Sequence, residues 1–220
     1  MSSDWYDQDR DEWLERLRDK TAAQVLKPYA DRLPPKDETY WPEFDNYLLS
    51  RGLSPRIARA NQWYPSANAG DNEPRIVIPA TSDQPGNHFW QARLIGCGEK
   101  RYQSPHGVAS GDACIVVYPT DTGGLTESVV VEGPVCALAA AMTGRLGIAL
   151  MGADPPEERL GLTYTRVRGT ICYIVPDLDR IDALTKVLVY LANRGVECRL
   201  RVPSAKDFAD MSPLNRERFF

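Results

Sequence analysis

Five acidic residues stand just past runs of apolar residues. Glu132 follows residues 128–131, Asp177 and Asp179 follow residues 170–175, and Asp207 and Asp210 follow residues 196–202. Carboxylates gathered in one place repel each other unless cations sit between them. Hard oxygen donors favour Mg²⁺ or Mn²⁺ over zinc. Such a site suits phosphoryl transfer, in which developing charge must be neutralised and an attacking oxygen aligned. Each acid also has a plainer reading. An Asp past a strand often caps a helix, which Asp179 ahead of Ile181 would satisfy, and Glu132-Gly133-Pro134 would make a surface turn. The combination is harder to explain this way, because three strand ends would all have to carry acids by accident. A second group is cationic. Arg93, and the Lys100-Arg101 pair beside Tyr102, can hold a phosphate backbone and stack a base; the plainer reading is a solvated loop. Arg51, Arg56 and Arg59 read as the polar faces of helices, Trp41, Trp63 and Trp90 as core, and His88 and His106 as surface or turn residues. No glycine-rich stretch carries the Lys-Ser/Thr of a phosphate-binding P-loop.

The elements around the acids alternate. Residues 125–212 read β-α-β-α-β-α-β. The strands are at 128–131, 148–151, 170–175 and 196–202. The helices are at 135–143, from Pro155 onward, and at 181–193, the last closed by Gly195. The strands are apolar without alternation, which predicts an α/β unit with a mostly parallel sheet covered by helices on both faces. Ligand sites of such sheets lie at the carboxyl ends of the strands, where all five acids fall. Residues 39–124 predict a small α+β subdomain. Its helices run over 41–51, ended by Gly52, and from Ser54-Pro55 to Ala60; its strand-like runs, at 75–79, 88–95 and 113–118, are separated by turn-rich stretches. Residues 1–38 predict an acidic helical segment stopped at Leu33-Pro34-Pro35. Its Trp13, Leu14, Leu17, Val25 and Leu26 recur near helical spacing, for packing on the body or docking another protein. Residues 213–220 are assigned to a C-terminal tail.

Composition bounds what the chain can be. Its 220 residues are 43% hydrophobic and 25% charged, enough to bury a core without disulfide or metal. The net charge of −4 excludes a basic nucleic-acid coat. The balance is uneven: residues 1–45 hold 7 basic and 12 acidic residues, and residues 46–220 hold 19 and 18. Any cationic surface is therefore local. The polar, acidic N-terminus is unlike a signal peptide, and no apolar run reaches the roughly 20 residues of a membrane span. Cys97, Cys114, Cys136, Cys172 and Cys198 are odd in number and lack C-x-x-C spacing. They predict reduced thiols and a cytoplasmic location, that of the host if the source is viral. With only two histidines beside them, no zinc site is expected.

The run VVVEGPVCALAAAMTG, then IVPDLD, then KDFAD resembles the Toprim domain, which is shared by DnaG-type primases, type IA and II topoisomerases and some nucleases. Its signature is a strand-end Glu followed by Gly, then an Asp-x-Asp; Glu132, Asp177 and Asp179 match it. Lys206-Asp207-x-x-Asp210 is similar to the Lys-Asp-x-x-Asp of phage-type primases. Upstream, YLLSRGLSPRIARANQWYP, PRIVIPA, FWQARLIG and KRYQSP resemble the opening, strand, arginine and Lys-Tyr runs of the primase RNA-polymerase core. The likeness covers about residues 44–212. It implies a phage-like DnaG-type primase core that joins ribonucleotides on a single-stranded DNA template. Glu132, Asp177 and Asp179 would be catalytic, and with Asp207 and Asp210 they would bind Mg²⁺ or Mn²⁺. Arg93, Lys100, Arg101, Tyr102 and Lys206 would hold nucleic acid or nucleotide, and a helicase or other replication protein would be a partner. The chain departs from the family at Cys136, where Asp is common four residues past the Glu, and at Asp182, where Gly is common. Ser104 stands near the place of an Asn that often follows the Lys-Tyr run. Two further readings stay open: a Toprim nuclease, and a degenerate Toprim module that binds a replication or host protein.

Overall fold

The computed structural model describes residues 33–220 apart from 68, 70–72, 85–87, 97, 99, 106–109 and 153. The expected N-terminal helix and His106 therefore lie outside the described residues, apart from the exposed Leu33 and the Pro-Pro stop at the end of that segment.

The first unit opens with two helices, α1 (Trp41–Ser50) and α2 (Pro55–Ala60). Ser54 caps α2 by accepting from the Ile57 N–H at 3.3 Å, and Pro55 supplies the fixed φ of a first helical residue. A four-stranded antiparallel sheet follows in the order β1 (Tyr64–Ser66), β2 (Arg75–Pro79), β3 (Trp90–Leu94) and β4 (Tyr102–Gln103). Side chains alternate along β3. Trp90, Ala92 and Leu94 are buried, while Gln91 and Arg93 face the other way.

The second unit is a five-stranded sheet that starts at one edge with β5 (Ile115–Val117) and runs in the order β5-β7-β6-β8-β9. Strands β6 (Glu127–Val131), β7 (Leu146–Ala149), β8 (Ile171–Ile174) and β9 (Glu197–Leu200) are parallel. Helices α3 (Pro134–Ala141), α4 (Glu157–Val167) and α5 (Thr185–Ala192) make the crossovers. This is the expected mostly parallel α/β sheet covered on both faces. One core, built on α3, the 3₁₀ turn Phe208–Asp210 and the first unit, includes Val129, Val131 and Tyr173. The other, with α4 and α5, includes Val130, Ile148 and Ile174. Every residue of α3 is buried, and its alanines let it lie close on the sheet. A Cβ on Gly147 of β7 would stand 2.1 Å from the Ala137 carbonyl oxygen; only glycine permits that approach.

Several details differ from the sequence reading. Strand β5 (Ile115–Val117), read with the first unit, pairs antiparallel with β7 at the edge of the second sheet. A bridge between Thr81 and Cys114 joins the units beside it. The cause is burial: Ile115 and Val117 belong to the core around α3. That core also contains Phe44, Leu48, Trp63 and Ile76, so it runs continuously across both units. The helix expected from 181 begins as a 3₁₀ turn (Ile181–Leu184) and becomes α-helical at Thr185. Strand β9 ends at Leu200 and is exposed, as an edge strand is. The C-terminal residues assigned to a tail carry structure of their own. They form α6 (Pro213–Glu217), after which Phe219 and Phe220 pack on Phe208, and Phe220 also on Tyr173. Cys114, Cys136 and Cys172 are buried free thiols, and Trp63 and Trp90 are core, as expected. Trp41 is only half-buried, with Lys36 and Arg59 over its ring. No helix among the described residues is long and apolar enough to cross a membrane.

Candidate active site

A cleft of about 260 Å³ lies where the antiparallel sheet meets the carboxyl ends of the parallel strands. Glu132, Asp177 and Asp207 supply its acidic wall and Arg51, Arg93 and Arg101 its cationic lining; Tyr102, Gln91 and Cys136 line it too.

The acidic wall is made by strand ends. Glu132 follows β6, and Gly133-Pro134 turns the chain at once into α3. Beyond β7 the chain takes left-handed conformations at Met151 (φ 56°) and Gly152 (φ 141°), and the Gly152 N–H reaches the Glu132 carbonyl at 3.4 Å. Asp177 follows β8; its carbonyl accepts from the Arg180 N–H at 3.0 Å, closing a tight turn. The neighbouring N–H of Leu178 donates to the Lys206 carbonyl at 2.8 Å, tying the Asp177 turn to the Asp207 turn. Asp207 accepts from the Asp210 N–H at 2.9 Å and caps the 3₁₀ turn Phe208–Asp210. Asp179 caps nothing: the 3₁₀ turn at Ile181 starts from Arg180 without a side-chain cap.

The electrostatics are those of crowded acids. Burial raises the Glu132 carboxyl above its ordinary value, and the Asp177 charge adds to this; Arg180, 3.8 Å away, opposes it. Asp177 is raised by burial and then by Asp207 and Asp179, against Lys206 and Arg180. Glu132 Oε1 is buried without a hydrogen-bond partner. An orphaned oxygen beside mutually repelling carboxylates fits a hard divalent cation. The side chains do not converge as tightly as the sequence reading expects: among the described residues, no three acid, histidine or cysteine side chains form a ready-made metal cage.

The cationic lining comes from a strand pair and a helix end. Antiparallel register sets Arg93 directly across from Tyr102, and the Arg93 guanidinium lies 4.9 Å from the Tyr102 ring centre. Arg93 Nε donates to the Tyr47 hydroxyl at 2.8 Å, and Arg51 Nη1 donates to the same hydroxyl at 3.4 Å. Arg51 also meets Asp210 at 2.5 Å.

The sequence-predicted residues therefore separate into two groups. Glu132, Asp177, Asp207, Arg93, Arg101 and Tyr102 share the cleft. Tyr102 packs its ring against the Arg93 guanidinium, and burial pushes its phenol up. Asp179, Lys100 and Lys206 are exposed and outside the lining. Asp210 is exposed and held by Arg51. Arg51, read from sequence as part of a helix's polar face, stands just past α1 and lines the cleft. Sequence reasoning misses Tyr47; its place one turn before Arg51 on α1 is the signal that points to it. Cys136 fills the position four past Glu132, fully buried beside Asp207, and burial raises its thiol far above the ordinary range.

This is a two-unit α/β fold with an acidic, arginine-faced cleft at the strand ends. No protein-family model matches the chain, and a search of curated proteins finds no match. Solved structures do match. A DnaG primase catalytic domain bound to single-stranded DNA superposes with a TM-score of 0.56 at 18% identity, over 85% of this chain and 72% of that one. The Escherichia coli primase catalytic core gives 0.55 at 18% identity, over 80% and 69%. A chain of the bacteriophage T7 lagging-strand DNA polymerase interacting with primase domains of two gp4 subunits, bound to an RNA/DNA hybrid and dTTP, gives 0.55 at 17% identity, over 78% and 86%. The chain has the fold of the DnaG-type primase catalytic core.

Proposed function

We propose that the chain is a primase-like nucleotidyltransferase that joins ribonucleotides into short RNA on a single-stranded DNA template. The observation that carries this reading is the meeting of Glu132, Asp177 and Asp207 with Arg51, Arg93 and Arg101 across one cleft, in a fold shared with primase cores.

Glu132, Asp177 and Asp207 would hold Mg²⁺ or Mn²⁺, with Asp179 adding negative field from the rim and Asp210 restrained by Arg51. Bound there, the ion supplies neutralisation of phosphate charge and alignment of the attacking hydroxyl. The chain's own contribution is positioning. Arg93, Arg101 and the donors that Tyr47 and Asp210 leave unused on Arg51 present guanidiniums to template or nucleotide phosphates, and Tyr102 and Tyr47 keep Arg93 in place. Glu132, buried and with its carboxyl raised, would hold the ion or act as the base that takes the proton of an attacking 3′-hydroxyl. Lys100 and Lys206 act only at longer range along an emerging strand.

The test is incubation with single-stranded DNA, labelled ribonucleotides and Mn²⁺. Short RNA products that Asp177→Asn abolishes support the reading. Cleavage of the DNA without synthesis points to the nuclease chemistry of related domains. No reaction, together with retention of a replication or host protein, points to a binding module.

A further inference from the structure

Arg216 is 3% exposed, yet its partners among the described residues are four main-chain carbonyls. Nε donates to Met211 at 2.8 Å, Nη1 to Gly52 at 3.0 Å, and Nη2 to Arg51 and Ala209, both at 3.0 Å. Two of these carbonyls belong to the turn after α1 that carries Arg51. The other two belong to the segment 207–211 that carries Asp207 and Asp210. On the cleft side the same two turns meet again through Arg51 and Asp210 at 2.5 Å.

We propose that Arg216 is a positioning residue for the cleft: it staples the cationic turn of the first unit to the acidic turn of the second, and so fixes where Arg51 stands relative to Asp207. A guanidinium has five donors in a rigid fork, which is what four carbonyls on two separate turns require. A lysine ammonium has three donors at one point and cannot span them. The junction has little slack. Gly52 is left-handed (φ 60°), and a Cβ there would stand 3.2 Å from Pro213 at the start of α6. The charge also matters, because Asp207 and Asp210 both lie within its field. An uncharged replacement leaves two buried and two part-buried carbonyls without this donor and removes a cation from behind the acids.

For its binding readout the inference rests on the nucleic-acid reading above; its geometry does not. Arg216→Lys should keep the fold, by circular dichroism and cooperative melting. It should weaken binding of a single-stranded oligonucleotide about tenfold, the effect of removing one charged hydrogen bond, and lower the slope of log affinity against log salt by about 0.7. A merely structural role would lower Tm and leave affinity and slope alone at temperatures where the protein is folded. That result overturns the proposal. The crystal structure of Arg216→Lys should have the two turns displaced and the Arg51–Asp210 ion pair broken; turns in place with that pair intact also overturn it. If the wild type binds no oligonucleotide, the nucleic-acid reading fails, and the crystal structure alone decides the role of Arg216. Should the variant not fold, the wild type still gives a result. The Arg216 Nε–H, bonded to Met211 in the interior, should exchange slowly with water by NMR, and fast exchange overturns the staple.

Discussion

Asp177→Asn should change stability with opposite signs in the absence and presence of metal. Without metal, Asp177 sits beside Asp207, Asp179 and Glu132 with its carboxyl pushed up by burial and by those charges. A folded-state value above the unfolded one means that the native protein holds protons the unfolded chain releases. Metal-free stability therefore falls as pH rises from about 4 through the folded values, and stays lower above them. Asparagine keeps the shape and the backbone turn to Arg180 but removes the repulsion. Its metal-free Tm at pH 7 should rise, by about 2–4 °C for each kcal/mol of repulsion relieved in a chain of this length, and the fall with pH should be shallower. With Mn²⁺ at about 100 times its dissociation constant, the wild type should gain about 2.7 kcal/mol, or about 5–11 °C, and the variant should gain nothing. Differential scanning fluorimetry across pH 4–8, with and without Mn²⁺, measures both. A variant less stable than wild type without metal, or equal Mn²⁺ shifts in the two proteins, would refute the argument that these carboxylates form one cation site.

Tyr47→Phe removes the acceptor shared by Arg93 and Arg51 while keeping the ring in place. Oligonucleotide affinity should fall severalfold, for about 1 kcal/mol of hydrogen bonding removed, with Tm little changed. Arg101→Ala should lower the salt slope of single-stranded DNA binding by about 0.7, whereas Lys100→Ala, outside the cleft lining, should leave it unchanged; titrations at several salt concentrations separate the two. Gly147→Ala would push a methyl to 2.1 Å from the Ala137 carbonyl oxygen and should destabilise by about 1–3 kcal/mol or more through overpacking, read in urea unfolding. An unchanged midpoint would mean that α3 can lift off the sheet at no cost.

The parallel sheet and its acids were legible because local pattern dictated them. The unbroken apolar runs around Val129, Ile148 and Ile174 fit strands covered on both faces, and the topology of such sheets sends strand ends to one edge. Glu132, Asp177, Asp179, Asp207 and Asp210 are therefore expected at one edge from the chain alone; in the structure Glu132, Asp177 and Asp207 line the cleft, while Asp179 and Asp210 are exposed outside its lining. The cationic wall was only half legible. Arg93 and Tyr102 stand out as residue types that grip phosphate, but their pairing follows from antiparallel register across a turn whose length sets the alignment. Arg51 belongs to the wall only because α1 packs its Phe44 and Leu48 into the common core, which aims the following turn at Asp210. Nothing within a helix's own sequence says which way its end will point.

The ends of the chain's elements divide in the same way. Sequence by itself determined the caps and stops at Ser54-Pro55, Gly52 and Gly195, because these depend on a few neighbouring dihedrals and hydrogen bonds. It also determined which residue types can hold metal and phosphate. Tertiary structure alone decided that Ile115–Val117 joins the second sheet, that Phe219 and Phe220 pack against the core, and that Arg216 binds two distant turns. Those outcomes rest on burial shared among segments up to 165 residues apart. A short apolar strand or a lone arginine carries no local mark of its partner, and is fixed only when the surrounding surfaces close over it.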